Sequence, residues 1–296
     1  MKIYLKIALV AVLHLCANVS QAQPDSLKVR IERLLASKQA EVGVAIYGIE
    51  RDEWIVMNDD AAYPMQSVFK FHLALAVLAK VDKGELALNQ LLHIDKKDLM
   101  PDTWSPIRET YPDGADLPLS EIIRFTVSQS DNVGCDFLFK LLGGPKKVNR
   151  YIHKLGIQEV QIVANEAQMH KDESVQFKNW TRPSAAVELL LTFYKKDILS
   201  KSSYDFMLQT LLETSTGPMR LKGLLPEGTP VAHKTGSSGT NDEGITEATN
   251  DIGIVTLPNG QHYIIAVLVS ASTEDDTTNE RIIAEINKMA WDYFGK

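Results

Sequence analysis

The sequence predicts an α/β plus all-α architecture, in which an α/β lobe built from both ends of the chain receives a helical lobe in its middle. Two observations carry this expectation. Short β-prone runs lie near the two termini, whereas the stretch between them is a series of helical patterns. Neither terminal set of strands is large enough to be stable alone, so the two must pair into one sheet. The expected division is an α/β lobe from residues 23–60 and 212–296, an all-α lobe from residues 61–211, and a cleft between them.

The first element is a leader. In "MKIYLKIALVAVLHLCANVSQAQ", Lys2 and Lys6 precede an apolar run from Ile7 to Cys16 and a small-residue site at Ser20-Gln21-Ala22. That is the layout of a signal peptide spanning residues 1–22, cleaved after Ala22. The run is far shorter than the ~20 apolar residues a spanning helix needs. Bulky Leu15 before Cys16 argues against lipidation at that cysteine.

Next come "VGVAIYGIE" and "EWIVMND", two β-prone runs joined across Glu50-Arg51-Asp52 as a hairpin. The helical patterns follow: "SVFKFHLALAVLAKVDKG", "SEIIRFTVSQSDNVGCDFLFKLLGG", "PKKVNRYIHKLG" and "RPSAAVELLLTFYKK", several stopped by Gly84, Gly143 or Gly156. The helix after Ser67 is apolar nearly all round, which predicts burial on every side. "DIGIVTLPNGQHYIIAVLVS" then gives two strands around the tight-turn signal Asn259-Gly260. The last helix, "TTNERIIAEINKMAWDYF", opens on Thr277 with Glu280 three residues on, the pattern of a capping box, and lines Ile282, Ile283, Ile286 and Met289 along one face.

Composition narrows the function. With 296 residues, 45% hydrophobic and 23% charged, the chain is an ordinary globular protein. Loss of Lys2 and Lys6 with the leader would take the formal charge from -7 to two units more negative, a poor balance for holding nucleic acid. The same cut removes Cys16 and leaves Cys135 without a disulfide partner. The seven histidines show neither a His-Glu-x-x-His nor a Cys/His cluster, so neither a metal nor another cofactor is expected.

Three short motifs carry chemistry. Ser67 and Lys70 in SVFK stand three residues apart, so on a helix they share a face and the amine can reach the hydroxyl. A Ser-x-x-Lys arises by chance roughly once in a chain of this length, and decides nothing alone. Ser130-Asp131-Asn132 and Lys234-Thr235-Gly236 are each expected below about 0.1 times per chain, and each occurs once. A free lysine titrates near ~10.4, so a neutral Lys70 at pH 7 needs a shift of about three units, roughly 4 kcal/mol. A helix end contributes only ~0.3 to 1 kcal/mol. Burial and a second cation, Lys234, push the right way, while a nearby carboxylate would keep Lys70 charged.

In this order the three triplets are the motif set of class A β-lactamases and penicillin-binding proteins, and the sequence resembles that serine family along the whole chain after the leader. The resemblance implies a β-lactamase/transpeptidase-like fold, with an antiparallel sheet of about five strands flanked by terminal helices. It also implies an omega loop at about residues 161–180, carrying Glu166 as the residue that activates the hydrolytic water. Whether Lys70 or Glu166 takes the Ser67 proton during acylation stays open. Ser130 would relay a proton to the departing ring nitrogen, and Asn132 would donate to the substrate's side-chain amide. Lys234, Thr235, Ser237 and Arg220 would hold the substrate carboxylate, with Trp104 and His170 as further substrate contacts. The backbone N–H groups of Ser67 and Ser237 would receive the oxyanion. Asp131 reads as a buried brace, Cys135 as core, and His233 has no assigned role.

The sequence also departs from the usual class A pattern. Ala164 and Asn179 stand where many class A enzymes pair an arginine with an aspartate across the loop, and His170 stands where an asparagine usually helps hold the water. With "PMQSVFK", "NEAQMH" and "VAHKTG", these departures resemble the PER and VEB extended-spectrum branch of Gram-negative bacteria. That likeness implies a remodelled loop, a wider site accepting oxyimino-cephalosporins and monobactams, and sensitivity to clavulanate. The leader implies a periplasmic protein with no membrane contact once it is gone, a monomer is the default state, and the expected partners are small-molecule β-lactams. Two rivals share the motifs. A penicillin-binding transpeptidase or carboxypeptidase lacks the deacylating glutamate, and an antibiotic sensor that stays acylated would want a transmembrane segment.

Overall fold

The computed structural model describes residues 26–296; the leader expected at residues 1–22, with Cys16, lies outside the described residues. The chain opens with helix α1 (Leu27–Leu35), capped by the Ser26 hydroxyl on Val29 N. Strands β1 (Glu41–Gly48) and β2 (Glu53–Met57) form the expected hairpin. After a two-residue strand β3 (Tyr63–Pro64) and a 3-10 turn at Gln66–Val68, helix α2 (Phe69–Asp82) begins. Then come β4 (Leu91–Asp95), α3 (Pro106–Thr110), β5 (Gly114–Pro118), α4 (Leu119–Ser128), α5 (Asn132–Leu142) and α6 (Pro145–Lys154). They are followed by β6 (Val160–Gln161), α7 (Glu166–Lys171), β7 (Trp180–Thr181), α8 (Pro183–Tyr194) and α9 (Lys201–Leu212). The chain ends with β8 (Val231–Ser237), β9 (Thr249–Thr256), β10 (His262–Ser270) and α10 (Asp276–Phe294).

The terminal strands do combine, in the order β2-β1-β10-β9-β8, into one five-stranded antiparallel sheet. Both faces are covered, which is why β1 and β10 read as continuous apolar runs rather than alternating ones. Val42, Val44, Ile46, Ile265 and Val267 pack with α1 and α10 on one face, while Ala45, Tyr47, Ile264, Ala266 and Leu268 face the helices between residues 69 and 212. Every residue of α2 from Phe69 to Leu78 is buried, as its all-round apolar pattern required.

Four local expectations are corrected. The stretch expected as one helix from Ser120 to Leu142 breaks at residues 129–131, where Ser130 takes a left-handed φ of 59° and the Asp131 carboxylate caps α5 through Gly134 N at 2.7 Å. Ser67 precedes α2 in the 3-10 turn rather than standing in its first α-turn. The final helix is capped by Asp275 on Thr278 N, not by Thr277, and Glu280 turns to Arg220 instead of closing a capping box. The helical middle is not purely helical, since β3-β7-β6 and β4-β5 form two small sheets within it.

Candidate active site

The sequence-selected residues meet at one end of the sheet. Ser67, Trp104, Ser130, Asn132, Glu166, His170, Thr235 and Ser237 all line a cleft of about 480 Å³. Lys70, Lys234 and Arg220 are buried just behind it. The turn carrying Ser67 is held against β8 because Gly236 lacks a side chain: a Cβ there would lie 2.4 Å from the Met65 carbonyl oxygen. Asn250 on β9 ties the same turn from below, its Nδ2 donating to the Pro64 carbonyl at 2.8 Å.

Lys70 Nζ donates to the Ser130 carbonyl at 2.8 Å and to Asn132 Oδ1, and lies 2.9 Å from Glu166 Oε1. The Glu166 contact is off the hydrogen-bonding direction, so it is a coulombic pairing, and Oε1 takes no hydrogen bond from the described residues. Two hydrogen-bond acceptors and one carboxylate thus surround the buried amine. Because Asn132 Oδ1 faces Lys70, its Nδ2 is the end left to donate into the cleft.

Two hydroxyls of the cleft are backed by cations. Lys234 Nζ donates to Ser130 Oγ at 3.0 Å and to the Thr235 carbonyl at 2.8 Å, which leaves the Ser130 proton free to be donated. Burial, and then the neighbouring Lys70 charge, push the Lys234 amine well below its ordinary range. Arg220 Nη2 likewise donates to Ser237 Oγ at 2.7 Å. The remaining Arg220 bonds run to Glu280 Oε1, the Gly236 carbonyl and the Asn250 carbonyl. Arg220 is only 8% exposed and lies behind Ser237, which lines the cleft. Thr235 Oγ1 meets Thr216 Oγ1 at 2.5 Å beside it.

Asp131 is fully buried and braces the site, accepting from Ser105 Oγ, Ile107 N and Gly134 N at 2.7–2.8 Å. Burial raises its pKa against those three donors. Cys135 is buried in the core. His233 is fully buried on β8, bonds Asp251 at 2.9 Å and does not line the cleft.

The loop around Glu166 shows what replaces the missing salt bridge. Asn179, fully buried, accepts from Val163 N at 2.8 Å and Ala164 N at 3.0 Å, and donates to the Ala164 carbonyl at 2.8 Å. One neutral amide thus satisfies three backbone groups that an arginine–aspartate pair would have to bridge. From the other side, Asp136 accepts from Glu166 N at 2.7 Å, Ala167 N at 3.0 Å and Asn165 Nδ2 at 2.9 Å. Burial, partly offset by those donors, pushes its pKa up to about 6. Sequence reasoning passed over Asp136, although it lies four residues after Asn132 and so on the same face of α5. It also missed the bond from Gln66 to Gln176, which ties the Ser67 turn to the loop.

Comparison with known proteins identifies the family. A sequence model described as the β-lactamase enzyme family matches residues 26–294. The chain is 47% identical to β-lactamase VEB-1 of Pseudomonas aeruginosa, over 99% of each chain. It is 46% identical to the extended-spectrum β-lactamase PER-1 of the same organism, over 93% of this chain and 89% of that one. The solved structure of TLA-1 extended-spectrum β-lactamase superposes with a TM-score of 0.90 at 58% identity, covering 91% of this chain and 98% of that one. TLA-3 gives the same TM-score of 0.90 at 57% identity. The chain therefore belongs to the class A β-lactamases, in the branch that holds VEB-1 and PER-1.

Proposed function

We propose that Ser67 Oγ attacks the β-lactam carbonyl and that Glu166, acting through a water, serves both halves of the reaction. The observation that carries this is Glu166 Oε1 standing 2.9 Å from Lys70 Nζ with no hydrogen bond of its own among the described residues, while the amine is engaged by the Ser130 carbonyl and Asn132 Oδ1 and so holds these groups in place. In acylation the Oγ–C bond forms and the ring C–N bond breaks; the Oγ proton passes through water to Glu166 and on through the Lys70 amine to Ser130, which has handed its own to the ring nitrogen, so Glu166 is ionised again before deacylation. In deacylation Glu166 takes a proton from water, the hydroxide adds to the ester carbon, and Ser67 leaves and regains its proton.

The backbone N–H groups of Ser67 and Ser237 receive the oxyanion. Asn132 Nδ2 holds the side-chain amide, while Thr235 and Ser237, backed by Lys234 and Arg220, hold the carboxylate. Trp104, 56% exposed at the rim, and His170 flank the acyl side chain. The likeness to extended-spectrum relatives supports oxyimino-cephalosporins and monobactams as substrates, with sensitivity to clavulanate. The leader-like first residues support export to the periplasm, and the working unit is a monomer. Residues 61–211 form the lobe that carries Ser67, Ser130 and Glu166, and residues 23–60 with 212–296 the lobe that carries Lys234. Turnover of a chromogenic cephalosporin tests the nucleophile: Ser67→Ala should abolish hydrolysis while weak substrate binding survives. Undiminished turnover in that variant would place the nucleophile elsewhere.

A further inference from the structure

Outside the cleft, a chain with a formal charge of -7 concentrates cations on one helix. α6 supplies Lys146, Lys147, Arg150 and Lys154 and no carboxylate, and Lys83 follows the end of α2. All five are exposed, and no side-chain hydrogen bond or ion pair occupies any of them among the described residues. The carboxylates nearby are already engaged: Glu85 pairs with Lys80, and Asp82 accepts from the hydroxyls of Ser200 and Ser203. Val148 and Ile152 bury the inner face of α6, so the cations stand outward.

These side chains line two adjoining depressions of about 390 and 320 Å³ that share Arg150 and Lys154. The second has an apolar floor of Ala76, Ala79, Leu142 and Tyr151. Unpaired cations around an apolar floor match the chemistry of a lipid headgroup region, where phosphates sit beside hydrocarbon. We propose that this face docks the protein on the anionic surface of a phospholipid bilayer. Whole-chain charge hides such a site, because the sum averages a basic helix into an acidic protein. No helix among the described residues is long and apolar enough to cross a membrane, so the contact is peripheral. Ala76 and Ala79 of the floor lie in the second half of α2, whose 14 residues span about 21 Å, while Ser67 precedes its first turn. The cleft therefore stays open to solvent when the protein is docked.

Flotation with vesicles tests this directly, using the protein without its leader and comparing vesicles of equal phosphatidylglycerol and phosphatidylcholine with vesicles of phosphatidylcholine alone. We expect binding to the anionic vesicles only, weakened by added salt. The triple variant Lys147→Glu, Arg150→Glu, Lys154→Glu should bind at least about tenfold more weakly. Its melting temperature and cephalosporin turnover should stay unchanged, and the same charge changes at Lys28, Lys195 and Lys296 should have a much smaller effect. The proposal is overturned if anionic vesicles are not bound, or if both triple variants lose binding equally. It is also overturned if inorganic phosphate stabilises the protein without vesicle binding, or if the face instead mediates salt-sensitive dimers in sedimentation.

Discussion

At the residue scale, the least ordinary device is Asn179, a neutral amide doing the work of a loop-closing salt bridge. Asn179→Ala would strand Val163 N, Ala164 N and the Ala164 carbonyl. A buried polar group left unpaired costs roughly 1–3 kcal/mol, so a loss of about 3 kcal/mol is expected in denaturant unfolding; a change below about 0.5 kcal/mol would show that other contacts hold the loop. Two buried titratable groups pull stability in opposite directions. His72, fully buried on α2 with Nε2 unpartnered, has its pKa lowered to about 4 by burial. Between its ordinary 6.5 and about 4, the unfolded chain takes a proton that the folded chain refuses, so stability falls with falling pH, by at most about 3 kcal/mol. Asp136, raised from 3.8 to about 6, does the reverse: its contribution is full below about 4 and lost as pH rises through about 6. Replacing His72 with Leu should leave only the second effect. Unfolding midpoints of the variant should gain on the parent as pH drops from about 6.5 to 4, whereas parallel curves would contradict the assignment.

At the element scale, the approach of β8 to the Ser67 turn is what brings together the Ser67 and Ser237 N–H groups, the proposed oxyanion donors, and Gly236 permits it. Gly236→Ala sets a Cβ 2.4 Å from the Met65 carbonyl, backbone against backbone, so the strand or the turn must shift. A displacement near 1 Å costs on the order of 10²-fold in rate, so kcat should drop by about that factor with the circular dichroism spectrum unchanged; full activity would show the approach is not needed. The elements differ in how far they could be read from sequence. α2 was legible because an all-apolar helix has only one place to go. The break between α4 and α5 was not, since Ser130 and Asn132 continue a plausible polar stripe and nothing local announces the left-handed φ of 59°. The two-residue strands β3, β6 and β7 carry too few residues for any period to show. Thr277 and Glu280 have the spacing of a capping box, but Asp275, two residues earlier, caps the helix and frees Glu280 for Arg220.

At the scale of the whole molecule, the chain's two ends make a sheet buried on both faces, and the inserted helices bring Ser67, Ser130 and Glu166 to the edge strand that carries Lys234. The three motifs could be found in the sequence because each is local. What could not be found is the layering that folding imposes: hydroxyls in the cleft, cations behind them, and a second rank of acceptors, Glu280, Gly236 and Asn250, holding Arg220 in place. That layering supports the proposed base role of Glu166 and the proposed orienting role of Lys70. Intact-protein mass measured after mixing Glu166→Ala with a cephalosporin tests it most directly. A covalent adduct that forms more slowly than in the parent and then persists is expected, because both acylation and release have lost their base. Adduct formation at the parent's rate would contradict Glu166 as the acylation base, and continued turnover without any adduct would contradict its role altogether.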